Sequence, residues 1–306
     1  MQKPSKLSTS STPSTISTSD LSTSDLSTSD PMLSYTANWH THTYRCKHAQ
    51  GDAADYCAAA VSTGLSVLGF SDHSPMKDGR WSGVRMDYDQ MPDYIRAIDE
   101  AAAAFPSLHV FKGLECEWVP TLGAGYYADE LRDRFGLHYI ALAPHAFTME
   151  SGTEKWIDTF HWNKSVPIEE KAWLKGYARY VVEAIGTGLF DFVAHPDLLG
   201  CFCSSWTAES EAASRTIARA AKDAGMPLEI NASGFVHPWV ADGNGGDRAP
   251  YPWLPFWEVV ADEGADVMIN TDAHNPANIV ANIDRAYEIA EKAGVRVVSA
   301  VPLRRM

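Results

Sequence analysis

The feature that most constrains this chain is an alternation. Seven short apolar runs, at residues 35–40, 66–73, 109–118, 138–147, 190–197, 226–232 and 265–274, are separated by stretches with helical spacing. The helical stretches are 52–63, 88–104, 126–134, 167–187, 208–224, 254–263 and 276–293. Strand–helix units repeated in this way predict an α/β fold with a parallel sheet and helices outside it. Seven units point to a barrel rather than an open sheet, and 296–301 is a candidate for one further strand. The stretch 276–293 carries the fullest helix signature: Asn275 to cap it, Pro276 at its first position, and Gly294 to end it. No Gly-x-Gly-x-x-Gly follows the first run, which argues against a dinucleotide site.

Each run also ends in residues that bind metals. The first ends at His40, with His42 two residues on and His48 six beyond that. On a strand, residues two apart face the same side, so His40 and His42 can reach one ion. Later runs end in Asp72-His73, Glu115-Cys-Glu117, His145, His195-Pro-Asp197, Glu229-Ile-Asn231 and Asp272-Ala-His274. In a parallel barrel the carboxyl ends of all strands meet on one face. Seven of the 11 histidines stand at these ends. Singly, each has a structural reading: a hydrogen-bonded histidine, a salt-bridged Glu115, a helix-capping Asp272. Together, seven histidines and two carboxylates buried side by side without a cation would be costly, so a metal centre is the better account. His109 and His138 sit where strands begin and read as structural. His161 and His237 fall in loops, where a substrate contact is the alternative to a structural role.

Charge narrows the partners. The net charge is −14 and there is no Lys/Arg run, which excludes an extended nucleic acid as ligand. A small anionic substrate is still admitted, because bound cations would supply positive charge locally. The five cysteines are odd in number and include no Cys-x-x-Cys, so neither a disulfide framework nor a zinc ribbon is expected. No apolar run approaches the roughly 18 residues of a membrane span, and no secretory signal is recognisable, which gives a cytoplasmic expectation. Nothing indicates or excludes a homo-oligomer. Residues 1–33 are Ser/Thr-rich, with Leu-Ser-Thr-Ser-Asp repeated in tandem over 21–30. They bury too little apolar surface to offset ordering and are expected to be a disordered tail, leaving 34–306 as the folded domain.

In order and spacing these motifs resemble the PHP (polymerase and histidinol phosphatase) family, and within it the histidinol-phosphatase branch. The resemblance runs from His40 to the C-terminus and rests on His-x-His-Thr at 40–43 with His48, then Ser-Asp72-His73-Ser-Pro, Gly-Leu-Glu115, His145, His195-Pro-Asp197-Leu and Asp272-Ala-His274. It departs from the family at Ala-Pro-His145, where a small hydroxyl residue is expected, and over 148–167, which does not align. The resemblance implies a distorted (β/α)7 TIM-like barrel and three divalent ions, Zn, Mn or Fe. His40, His42, Glu115 and Asp272 would hold the first. Glu115, bridging, would hold the second with His145 and His195. His48, His73 and His274 would hold the third. The activity implied is hydrolysis of a phosphomonoester, L-histidinol phosphate, in histidine biosynthesis. A nucleotide or other small phosphate ester is the alternative substrate, and a non-catalytic metal-binding module the alternative class. The expected chemistry is attack by a metal-bound hydroxide, with Glu115 bridging and Asp272 orienting the nucleophile. Asp197 is the candidate general acid, unless it holds a ligand histidine. Arg85 is the first candidate for a phosphate contact; Arg45, Lys47 and Arg80 follow. Glu229 is expected at the substrate's ammonium or behind a ligand.

Overall fold

In the computed structural model, which describes residues 35–160 and 168–303, the apolar runs build one eight-stranded sheet in chain order. The Ser/Thr-rich segment 1–33 and His161 lie outside the described residues. The strands are β1 (Ala37–Asn38), β2 (Val67–Phe70), β3 (His109–Cys116), β4 (Tyr139–Leu142), β5 (Phe192–Val193), β6 (Leu228–Asn231), β7 (Asp266–Asn270) and β8 (Arg296–Val297). Every neighbouring pair is parallel.

The sheet curls until β1 meets β7. Thr41 bridges Ala273, the His42 amide donates to Ala273 O at 3.0 Å, and the Ala273 amide donates to His40 O at 3.3 Å. Seven strands therefore close at their carboxyl ends. At the opposite end β8 pairs with β7, at Asp266↔Arg296 and Val267↔Val297. The barrel is distorted because a different partner fills each end of the β7 edge.

Six α-helices, α1 (Ala53–Ser62), α2 (Met91–Ala104), α3 (Glu170–Gly186), α4 (Ala208–Ala224), α5 (Leu254–Glu263) and α6 (Ile283–Ala293), pack around the sheet. Asp52 and Thr207 start α1 and α4 with capping boxes, and Gly225, Gly264 and Gly294 end α4, α5 and α6 in the left-handed region. The helix expected over 276–293 is interrupted. Pro276–Asn278 is a 3₁₀ turn capped by Asn275, and α6 begins only at Ile283. Asn38 Nδ2 and Thr271 Oγ1 donate to the Ile279 carbonyl, and Asn282 takes a φ of +57°. The run 138–147 also divides: after β4, Ala146–Thr148 pairs antiparallel with Trp156–Asp158 as a hairpin. Residues Tyr126–Arg134 wind as a π-helix.

The base of the barrel is filled by Trp39, Tyr139, Phe192, Met268 and Val301, with Phe111 against them. Two glycines make room. A Cβ on Gly69 would lie 2.5 Å from Tyr139 Oη, and one on Gly113 would lie 2.4 Å from the Tyr139 ring. The Tyr139 hydroxyl is 2.7 Å from Trp39 O and 2.9 Å from Phe70 O, so its polar end is satisfied inside the plug. An apolar base confines the polar side chains to the carboxyl-end mouth.

Candidate metal centre

The site starts where β1 stops. The Trp39 amide donates to Asn270 Oδ1 (2.8 Å) and the His40 amide to Asn38 Oδ1 (3.2 Å), so at these two residues the amides bond side chains. Pairing resumes at Thr41, whose parallel bridge to Ala273 is flanked by His40 and His42, as the strand reading of the His-x-His pair expects. Residues on either side of a bridged position share a face, and both His40 and His42 reach the mouth with ring centroids 5.1 Å apart. The following loop turns back through Gln50, whose amide donates to His274 O at 2.8 Å, and brings His48 Nε2 to 3.0 Å from His274 Nε2. His73 follows β2 and bridges Glu115 near the end of β3. His195 (φ +30°) and Asp272 (φ +50°) lie in the left-handed region, a conformation that costs non-glycine residues on the order of 1–3 kcal/mol and concentrates at functional sites.

Three groups of donor atoms result. His40 Nε2 lies 3.5 Å from Glu115 Oε1 and 3.4 Å from Asp272 Oδ1, while His42 Nε2 lies 2.9 Å from Asp272 Oδ1 and 3.6 Å from Glu115 Oε2. Around the other side of Glu115, His195 Nε2 is 2.8 Å and His145 Nε2 3.3 Å from Oε1, and these two nitrogens are 3.2 Å apart. His48, His73 and His274 form the third group. Thus the structure brings together all nine residues expected as ligands.

The electrostatics call for a cation. His40 Nε2, His42 Nε2, His73 Nδ1, Glu115 Oε2 and Asp272 Oδ1 are buried without an aligned hydrogen-bond partner. Each such atom would cost about 1–3 kcal/mol if left so. Burial works against charge on His40, yet Glu229, Asp272 and Glu115 outweigh it and hold its pKa well above the usual range. Burial likewise opposes charge on Glu115 and Asp272, and the surrounding imidazoles hold both carboxyls well below theirs. His73 is driven down to about 3 by burial, which keeps it neutral as a ligand must be. Imidazole and bridging carboxylate donors converging in this way fit divalent ions such as Zn, Mn or Fe.

Behind the donors lies a layer of braces, and here several expectations change. Glu229, expected at the substrate's ammonium or behind a ligand, is absent from the cavity wall. Its Oε1 accepts from His40 Nδ1 (2.8 Å) and Asn270 Nδ2 (2.9 Å), and its Oε2 from the His195 amide (2.9 Å) and Asn231 Nδ2 (2.9 Å). It orients His40 from behind. Arg85 reaches the cavity wall, but its two Nη atoms pair with Glu117 at 3.0 and 2.8 Å, and Glu117 Oε1 lies 3.1 Å from His145 Nδ1. Arg85 therefore steadies His145 through Glu117 rather than offering an open guanidinium to the cavity. Arg45 is buried, paired with Asp52 at 2.5 Å and Asp93 at 2.6 Å, and is absent from the cavity wall. Lys47 pairs with Asp87 at the surface, and Arg80 with Asp78 and Glu154. Asp197 is fully buried, with Oδ2 accepting from the Trp253 amide (2.7 Å) and Trp257 Nε1 (2.9 Å). It too is absent from the wall, so it anchors the start of α5 and is not placed to protonate a leaving group.

The mouth opens into a cavity of about 570 Å³, lined beyond the donor groups by Trp81, Trp156, Asp158, Phe160, His237 and Tyr251. The sequence reading passed over most of these, since loop aromatics carry no spacing signal. It also passed over Cys46, whose buried thiol clusters with His42 and His274. His274, His42 and His48 draw that thiol down to about 3 against the upward push of burial.

The PHP-domain profile matches residues 38–233. The chain belongs to the PHP-domain family. It is 29% identical over 267 residues to a protein of Deinococcus radiodurans named as a histidinol-phosphatase, covering 85% of this chain and 94% of that one. Among solved structures, the histidinol phosphate phosphatase of Lactococcus lactis, complexed with Zn, L-histidinol and phosphate, superposes with a TM-score of 0.64 at 16% identity, over 87% of this chain and 97% of that one. A Listeria monocytogenes protein described as a histidinol phosphatase superposes with the same TM-score at 15% identity, over 81% and 99%. These two likenesses establish the PHP barrel fold, in agreement with the closure described above. No helix among the described residues is long and apolar enough to cross a membrane.

Proposed function

We propose that this PHP protein is a metal-dependent phosphomonoester hydrolase acting on L-histidinol phosphate. The observation that carries the reading is the convergence at one barrel mouth of seven imidazoles and two carboxylates, six of which, His40, His42, His73, His195, Glu115 and Asp272, bury an atom without a hydrogen-bond partner. The name of the Deinococcus relative supports the substrate and the place in histidine biosynthesis, and the free cysteines are in keeping with a reducing cytoplasm.

The residues divide the work. His40, His42, Glu115 and Asp272 would hold one ion, Glu115, His145 and His195 a second, and His48, His73 and His274 a third. Bound divalent ions supply positive charge for the phosphoryl oxygens and lower the pKa of a coordinated water to about 7. Glu115, reached from both sides by imidazoles, would serve the first two ions together. Asp272 presents Oδ1 to His40 and His42 while Asn231 holds its Oδ2 at 3.3 Å. Fixed in this way, it would orient the attacking water and take its proton as the water oxygen bonds to phosphorus and the P–O bond to the alcohol breaks, the departing alkoxide taking up a proton from solvent. Glu229 and Glu117 keep His40 and His145 pointing their Nε2 atoms inward.

The test is phosphate release from L-histidinol phosphate, glycerol phosphate and AMP, after bound metal is measured. We expect histidinol phosphate to give the highest kcat/KM, and both chelation and His40→Ala to remove most turnover and at least one ion. A metal-loaded protein inert to all three esters, or one that prefers AMP, would refute the reading.

A further inference from the structure

We propose that His237 is the general acid of the reaction and carries the proton that the departing alkoxide draws from solvent. The proposal rests on the phosphatase reading above.

That role is open among the residues assigned so far. An alkoxide departs readily only if it is protonated as the P–O bond breaks, and Asp197 stands off the cavity wall. Of the ionisable side chains on the wall, six belong to the three donor groups, Arg85 and Glu117 hold each other, and Asp158 accepts from the Phe160 amide at 2.8 Å. Tyr251 is buried, and burial holds its phenol well above the usual range. His237 is left. It is exposed, and among the described residues neither of its ring nitrogens makes a hydrogen bond.

The local fold fixes where the ring sits. Asn231, at the end of β6, accepts from the Ser233 amide through Oδ1 (2.9 Å) while its Nδ2 reaches Asp272 Oδ2 (3.3 Å), so one side chain ties the loop to a proposed metal ligand. The 3₁₀ turn Ala232–Val236 follows. Gly234 lets this turn lie against Tyr251, where a Cβ would stand 2.0 Å from the carbonyl oxygen. The His237 ring then lies 5.6 Å from the Tyr251 ring, which lies 6.1 Å from His195. Phe160 stacks with His237 at 6.2 Å and lies 6.0 Å from His145. His237 is thus one ring removed from both imidazoles proposed for the second ion.

Displacement at phosphorus keeps the attacking and leaving oxygens roughly in line. With the water oriented at Asp272, among the donors, the leaving oxygen points away from them into the cavity that His237 lines. The ionisable groups facing His237 are Asp272, His195 and His274, with the Tyr251 phenol beside it. Burial draws its pKa below the usual range, Asp272 opposes this, and His195 and His274 add to it. The phosphoryl charge of a bound ester acts in the same sense as Asp272 and favours the protonated ring. A ring N–H passes its proton to the alkoxide oxygen, which keeps the electron pair of the broken P–O bond. The neutral ring then takes up a proton from solvent before the next turnover.

The test compares propyl phosphate, whose alkoxide needs the proton, with para-nitrophenyl phosphate, whose phenolate leaves without one. His237→Asn should lower kcat/KM for propyl phosphate about 100-fold, the lower end of what a general acid contributes, and leave para-nitrophenyl phosphate within about twofold. The fall of native kcat for propyl phosphate at alkaline pH, as the ring loses its proton, should be absent from the variant. Bound metal is measured in both proteins, so that a damaged site is recognised. At full metal content, an equal loss on both esters, or no loss on propyl phosphate, overturns the assignment alone. So does a native protein that hydrolyses only the nitrophenyl ester. A metal-loaded native protein that hydrolyses neither ester overturns the phosphatase reading and this assignment with it.

Discussion

Replacing Glu229 by Gln is the sharpest test of the layer behind the metal donors. The change keeps the side chain's volume and converts one acceptor oxygen into a donor nitrogen. Four donors now converge on the carboxylate: His40 Nδ1 and Asn270 Nδ2 on Oε1, the His195 amide and Asn231 Nδ2 on Oε2. None can turn away without loss. Asn270 Oδ1 is held by the Trp39 amide and Asn231 Oδ1 by the Ser233 amide. The His195 donor is backbone, and His40 would have to move its proton to Nε2, the atom proposed to bind metal. Whichever way the Gln amide lies, two buried donors therefore face an N–H, at about 1–3 kcal/mol each, or about 2–6 kcal/mol together. The melting temperature should fall by at least about 4 °C, at about 2–4 °C per kcal/mol. Affinity for the ion at His40 should drop about 10–100-fold, the usual effect of losing a partner behind a ligand. Chelator-competition titration and thermal melts measure both. A Glu229→Gln protein with native metal affinity and melting temperature but a raised KM would refute the argument and return Glu229 to the substrate.

Asp197→Asn separates an anchor from a general acid. Burial raises the Asp197 carboxyl to about 7, against the two tryptophan N–H donors that favour its charged form. A folded pKa above the unfolded one means that this group's stabilisation is full below about pH 4 and is lost as pH rises through about 7, worth up to about 4 kcal/mol. Asn can accept the same two N–H bonds, so the variant should lose that pH slope in melts between pH 4 and 8 and retain turnover. Abolished turnover at full metal content would restore the general-acid role. Arg45→Met should lower the melting temperature by about 4–8 °C, about 2 kcal/mol for breaking a buried network whose acidic partners can rehydrate, and leave KM unchanged; a large rise in KM without a thermal effect would instead place Arg45 at the phosphate.

How far the site was legible depended on what each residue needs. The donor residues show in the sequence because each occupies the same place in a repeated unit, at the end of an apolar run, and the parallel barrel turns that repeat into proximity. Closure is less legible: β8 and β1 compete for β7 through register, at Val267↔Val297 and Thr41↔Ala273, and no residue type marks register. Helix ends were readable from local caps, as at Asp52, Thr207 and Gly225. The continuous helix expected over 276–293 failed because the decisive bond comes from Asn38, 241 residues away in sequence from Ile279. The basic residues misled for a related reason. Arg45 and Arg85 lie beside the motifs, but the carboxylates that occupy them, Asp93 and Glu117, come from other elements.

Glu115 and Glu229 show what a strand-end carboxylate alone leaves open. Glu115 is the penultimate residue of β3 and Glu229 stands two residues before the end of β6, and both are buried at the same mouth. Their roles differ through the donors that meet them. Glu229 receives two N–H groups on each oxygen, which leaves no acceptor for a cation, so it braces His40. Glu115 is met by His195, His145 and His73, and its Oε2 keeps no aligned donor. Two of the imidazoles around it already have other ties: Glu117 reaches His145 Nδ1, and Glu229 reaches His40 Nδ1. A carboxylate surrounded by nitrogens that are free of such ties would collect protons. One surrounded by imidazoles already turned by partners behind them is arranged for a cation. The distinction lies in the pairing of side chains across separate strands, and it is why the two glutamates look alike until the barrel closes.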